Sequence, residues 1–195
     1  MAYNSTSWTT DANTKAGSTG TNTVGGVTLY KEFGLFDFSP TAGTHYPMVS
    51  INSLVSASGN TYAGNFGGTG SDPVTTLDTS DDGENGMYQI ASMWYVEDNV
   101  NLDNIRVFVN AEGTQSIKFN VLEYDIDTTT NFGDLSGGNH LANGTITATS
   151  GTLKTTTLTI GSPSVDAGKV IIAYAEAETG THDITCRLIA KYHLI

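Results

Sequence analysis

The stretch from Ile105 to Ile126 reads IRVFVNAEGTQSIKFNVLEYDI. Ile105, Val107 and Val109 recur at every second position, and so do Ile117, Phe119 and Val121. A period of two puts each set on one face of a strand. Glu112-Gly113 stands between the runs as a turn signal. The stretch therefore predicts two strands, Ile105 to Ala111 and Ser116 to Ile126, joined by a short turn. In the second run the parity changes after Val121, to Leu122, Tyr124 and Ile126. One inserted residue flips the face of a strand, so the change predicts a bulge near Val121.

Working outward, the same reading finds strands at Val27 to Phe33, Tyr46 to Leu54, Thr61 to Phe66 and Met87 to Val96 on the N-terminal side. Pro47 belongs at a strand start or an edge. The run MYQIASMWYV is almost wholly apolar, which predicts a strand covered on both faces, with Trp94 or Tyr95 in the core and not a sugar platform. On the C-terminal side, Thr145 to Ser150 and Thr152 to Ile160 are Thr-rich strands with a turn at Ser150-Gly151. Lys169 to Glu178 sets Val170, Ile172 and Tyr174 on one face. Asp183 to Leu194 does the same for Ile184, Cys186, Leu188, Ala190 and Tyr192. Gly137-Gly138-Asn139, Asn143-Gly144, Ala167-Gly168 and Thr179-Gly180 read as further turns. The last strand runs to Ile195, so the chain is expected to end within the sheet or against a neighbour. No capped helical pattern and no solenoid or propeller repeat occurs.

Composition agrees. Gly, Thr, Ser and Asn dominate the polar residues and charged residues are only 14%. Thr and Val favour strands, and Gly and Asn favour the turns between them. The expected fold is all-β: a jelly-roll-like antiparallel β-sandwich over residues 26–195, preceded by an extended N-terminal arm over residues 1–25. The segment Met1 to Gly26 is Ser, Thr, Asn and Gly with few apolar residues, too few to offset its ordering entropy alone.

Of 195 residues, 20 are Asp or Glu and eight are Lys or Arg, a net charge of -12. Nucleic-acid and anionic-membrane binding both need a clustered cationic face, and no window of sequence supplies one. One cysteine permits no disulfide within the chain. MAYNSTSWTT has neither a basic region nor an apolar core, so it is not expected to be a secretory signal. No run approaches the ~20 apolar residues of a membrane helix.

Candidate chemistry is sparse. DTSDDGENG, Asp78 to Gly86, packs four carboxylates into nine residues. Against the calcium loop of an EF-hand, Asp78, Asp82 and Gly83 fit, but the twelfth position falls on Gln89 and the flanks are not helical. A looser calcium site would use Asp78, Asp81, Asp82 or Glu84; otherwise the loop is a solvated turn. His45, His140, His182 and His193 form no zinc spacing. Cys186 alternates with Ile184 and Leu188 and reads as a small buried hydrophobe. The acid pairs Glu97-Asp98 and Glu123-Asp125 read as a solvated rim, with glycoside hydrolysis requiring two of them to meet across a cleft. No cofactor and no catalytic residue is expected. Trp8, Tyr3 and Val24 in the arm, and Phe36 and Phe38 in KEFGLFDF, are the candidate partner contacts.

Two stretches carry a likeness, MWYVEDNVNLDNIRVFVNAEGTQSIKFNVLEYD and VDAGKVIIAYAEAETGTHDITCRLIAKYHLI. Their style resembles tailed-bacteriophage virion proteins, in particular capsid decoration (cement) proteins and the jelly-roll modules of head and tail fibres. The resemblance implies a homo-oligomer, a trimer first, on the outer surface of the virion. It would be made in the host cytoplasm and would grip the major capsid protein through its arm or base. A carbohydrate- or receptor-binding sandwich is the alternative.

Overall fold

The computed structural model describes residues 28–50, 92–127, 134–180 and 182–195. The expected arm, the strand Thr61 to Phe66 and the acidic loop Asp78 to Gly86 lie outside them, as do Tyr3, Trp8 and Val24.

Two antiparallel sheets pack face to face. The strands are β1 (Leu29–Phe38), β2 (His45–Pro47), β3 (Val49–Ser50), β4 (Trp94–Tyr95), β5 (Val100–Ala111), β6 (Gln115–Asp127), β7 (Asp134–Ala148), β8 (Lys154–Thr157), β9 (Thr159–Ile160), β10 (Ser164–Val165), β11 (Val170–Ala177) and β12 (Ile184–Leu194). Sheet I runs β10-β5-β12-β1-β3, with β8 sharing one edge of β5 with β10; sheet II runs β2-β11-β6-β7-β9, with β4 sharing one edge of β11 with β2. Most links between consecutive strands cross from one sheet to the other, which is the habit of a jelly roll.

Between the sheets lies one apolar core. Sheet I contributes Phe33, Leu35, Ile105, Val107, Val109, Ile184, Cys186 and Leu188; sheet II contributes Ile117, Phe119, Val121, Ile171, Ala173 and Ala175. The strand pair read from Ile105 to Ile126 is present, but its two strands belong to different sheets, so the turn at Glu112-Gly113 is a corner.

Sequence breaks and strand breaks do not coincide. The run from Tyr46 splits at Met48: β2 pairs with β11 in sheet II and β3 with β1 in sheet I. Thr152 to Ile160 splits in the same way at Leu158, with β8 on β5 and β9 on β7. At each corner one buried apolar residue carries the chain across the core, and its N–H stays bonded: Met48 to the Ala173 carbonyl and Leu158 to the Ile105 carbonyl, both at 2.8 Å. Strands that switch sheets make corners in this manner. Conversely, the expected turns at Gly137-Gly138-Asn139 and Asn143-Gly144 fall inside β7. Gly137 takes φ +63° beside a register shift, where a bulge needs it. Gly144 leaves room for Leu158, whose Cδ2 would stand 3.0 Å from an added Cβ.

The register does shift at Val121/Leu122, but the extra residue belongs to β7: Val121 faces Ala142 and Leu122 faces His140. β6 keeps its alternation. Leu122 and Tyr124 continue the outer face of sheet II, where they form a second apolar cluster with Leu135, Val170, Ile172 and Tyr174. The parity change thus marks a strand buried on both sides. Lys169 to Glu178 is likewise buried on both: Ile171 and Ala173 enter the main core and Val170, Ile172 and Tyr174 the second cluster. In MYQIASMWYV, of which Ser92 onward is described, Trp94 is buried but Tyr95 is 47% exposed, contrary to the expectation for a doubly covered strand.

Candidate functional site: the open face of sheet I

The two outer faces differ. That of sheet II is buried along its middle, through Pro47, Tyr174, Asn120, Leu122 and Ile172. That of sheet I is open, and cross-strand register places its side chains in rows. One row is Tyr30, Lys191 and Asn104; the next is Glu32, Ile189, Arg106 and Thr157; the third is Gly34, Arg187, Phe108 and Thr155. Their neighbours along each strand, Phe33, Leu188 and Val107, face the core, so alternation fixes these residues outward.

Tyr30 is 62% exposed and Phe36 56%. Phe36 lies within the register irregularity between Leu35 and Phe38 of β1, and its ring folds back over Gly34: a Cβ there would meet Phe36 Cζ at 2.7 Å. Phe38, its partner in the expected contact set, turns inward instead. It packs on the core with its ring centroid 4.6 Å from that of Tyr46. Of KEFGLFDF, then, Phe33 is core, Phe38 closes its edge and Phe36 is left for solvent.

The face carries three cations, Arg106, Arg187 and Lys191, against two carboxylates, Glu32 and Asp103, the latter held by His193, which register sets outward opposite Asn101. Arg187 pairs with Glu32. Arg106 and Lys191 pair with no carboxylate among the described residues. Sequence reasoning missed this patch. Arg187 and Lys191 are four residues apart, but Arg106 stands 81 residues before Arg187, so no window of sequence collects all three, and only register does.

The other candidates are accounted for by local contacts. Cys186 is free and buried, and loss of hydration pushes its thiol up to about 12. Asp125 pairs with Lys169 at 2.6 Å and Glu123 accepts from the Asn139 amide at 2.8 Å. Lys169 is held above its ordinary value chiefly by the hydrogen bond to Asp125. His193 Nδ1 lies 2.8 Å from Asp103, His45 Nε2 lies 3.1 Å from Glu176, and His182 is exposed beside Gln115. No group of three or more His, Cys, Asp or Glu able to hold a metal occurs among the described residues. The calcium candidates Asp78, Asp82 and Glu84 lie outside them.

Two predictions arise here. Burial also raises the Tyr174 hydroxyl, which lies 3.0 Å from that of Tyr124. Unfolded, Cys186 and Tyr174 ionise near their ordinary 9.0 and 10.0. Folded, both hold their protons to higher pH. The stability they contribute is complete below about pH 9 and is lost as pH rises toward 12, because only the unfolded chain releases protons in that window. Melting temperature should fall above about pH 9, and less steeply in Cys186→Ala and Tyr174→Phe; an unchanged slope in both would refute the assignment. Secondly, Asn120 faces Tyr174 across β6 and β11, and neither atom of its buried amide has a hydrogen-bond partner. Asn120→Leu should therefore raise stability, by about 1 kcal/mol, since an unsatisfied buried polar group costs ~1–3 kcal/mol. A lower melting temperature would mean that bound water or another group satisfies the amide.

No family model and no curated protein matches the chain. Among solved structures it is similar to the CBM22-1–GH10 modules of Clostridium thermocellum xylanase 10B complexed with xylohexaose, at 14% identity and TM-score 0.30 over 56% of this chain and 18% of that one. An aminopeptidase from a marine sediment Thaumarchaeota archaeon is similar at 9% identity and TM-score 0.38, over 87% and 34% of the respective chains. The infectious bursal disease virus Gx strain structure is similar at 10% identity and TM-score 0.23, over 54% and 35%. The chain spans about a third or less of each of these structures' chains. Likeness this loose carries no argument about the chain's fold or function.

Proposed function

We propose that the protein is a structural virion component, a decoration or cement protein that docks on the outer surface of a phage head. There it would add non-covalent contacts across the joints between major capsid protein subunits. The observation that supports this reading is the open face of sheet I, a patch of exposed rings and cations on a sandwich whose other outer face is buried along its middle. Assembly surfaces combine aromatic anchors and arginine in this way. The polar arm, residues 1–25 with Trp8, would extend the contact by ordering on docking. Heads lacking the protein should bind it saturably and then withstand higher temperature before rupture. Absence of saturable binding would overturn the reading, and undiminished binding after deletion of residues 1–25 would remove the arm from it.

A carbohydrate- or receptor-binding sandwich is the second reading. It is favoured by one observation, that Tyr30 and Phe36 are both exposed and project from the same side of β1. Glycan-array binding weakened by Tyr30→Ala or Phe36→Ala would support it; an empty array would end it.

A further inference from the structure

The chain holds its charge unevenly. With Arg106, Arg187, Lys191, Glu32 and Asp103, the open face of sheet I contributes +1, so the rest of the chain carries -13 (from -12 minus +1). Part of that surplus is gathered at one end of the sandwich. There the loop before β5 and the loop between β10 and β11 are tied together. Gly168 N–H donates to the Val96 carbonyl at 2.7 Å, Val96 N–H to the Lys169 carbonyl at 2.9 Å, and Ala167 N–H to Asn99 Oδ1 at 2.8 Å. These bonds bring exposed Glu97, Asp98 and Asp166 to the same end as Glu123 and Asp125. Lys169 is the cation among them, and Asp125 already engages it.

We infer that the open face of sheet I docks on the acidic end of a second copy of this chain. Among the described residues Arg106 and Lys191 pair with no carboxylate, and at the acidic end Glu97, Asp98, Asp166, Glu123 and Asp125 share one cation, Lys169. Each surface supplies what the other lacks. Tyr30, Phe36 and Ile189 provide the apolar area that a charge match alone does not. Face and end are different surfaces, so the contact is heterologous: it closes into a ring or propagates, and it leaves no pair of identical patches facing each other. Lys31, by contrast, sits on the core-facing parity of β1, where partial burial lowers its pKa, and takes no part.

This inference rests on reading the open face as an assembly surface, and its test separates the two. Sedimentation velocity of the full chain at about 0.05 M salt should show concentration-dependent association. It should weaken at least about tenfold near 1 M, where the Debye length is ~3 Å. The double variant Arg106→Glu/Lys191→Glu should remain monomeric, and so should Glu97→Lys/Asp98→Lys. An equimolar mixture of the two should associate again, because reversed face then meets reversed end. All four positions are at the surface, and circular dichroism would confirm that both variants fold; Arg106→Gln alone is the milder check if either does not. A chain that stays monomeric at low salt, or an association indifferent to both reversals, overturns the inference. Heads that bind such a monomer saturably would leave the virion reading intact.

Discussion

Truncation of Phe119 to alanine is expected to destabilise the fold by about 3–5 kcal/mol, the range for a buried phenylalanine. Phe119 is fully buried. Its strand neighbours on the core side of sheet II are Ala175 on β11 and Gly144 on β7, two of the smallest residues available. The ring thus fills space that its neighbours leave, and Leu158 already occupies the clearance above Gly144. Close-packed sheets relax only partly into a void of that size. The loss should be read from denaturant unfolding with an unchanged m-value. A cost below about 1 kcal/mol would mean that Leu158 or its neighbours collapse into the gap, and that the layered packing described for this position is wrong.

A second large effect is expected at Met48, where alanine should cost about 2–5 kcal/mol. Met48 has no exposed surface. It sits at the single residue between β2 in sheet II and β3 in sheet I, so its side chain fills the core at the place where the chain crosses it. The backbone bond from Met48 N–H to the Ala173 carbonyl survives the substitution, which leaves packing as the term measured. Met48→Leu keeps the volume and should cost less than about 1.5 kcal/mol. Equal losses in the two variants would show that the thioether's shape, and not its volume, is what the corner requires.

Much of the architecture was legible along the chain. Alternation in Ile105–Val109, Ile117–Val121 and Ile184–Ala190 identified core-facing residues, because a side-chain period of two is a local property of any strand with one buried face. Cys186 fell on the buried side for the same reason. What failed was local in origin too. Gly137 and Gly144 look like turn residues, yet one serves a bulge and the other a close approach within a single 15-residue strand. Met48 and Leu158 look like ordinary strand interiors, yet they are corners. Nothing within a few residues of these positions distinguishes the alternatives, since the deciding partners, Ala173 and Ile105, are 125 and 53 positions away.

The candidate surface divides in the same way. Phe36 was visible beforehand as an apolar residue in KEFGLFDF, but its difference from Phe38 comes from the irregularity after Leu35 and the room over Gly34. Sequence by itself determined an acidic, strand-rich chain with one thiol, an alternating core and a polar leader, because composition and short-range periodicity carry that information. Only the tertiary structure decided which strands share a sheet, which outer face is left open, and that Arg106, Arg187 and Lys191 stand together on it. Those facts depend on pairing between distant strands, and a linear pattern holds no record of which strand will be its neighbour's partner.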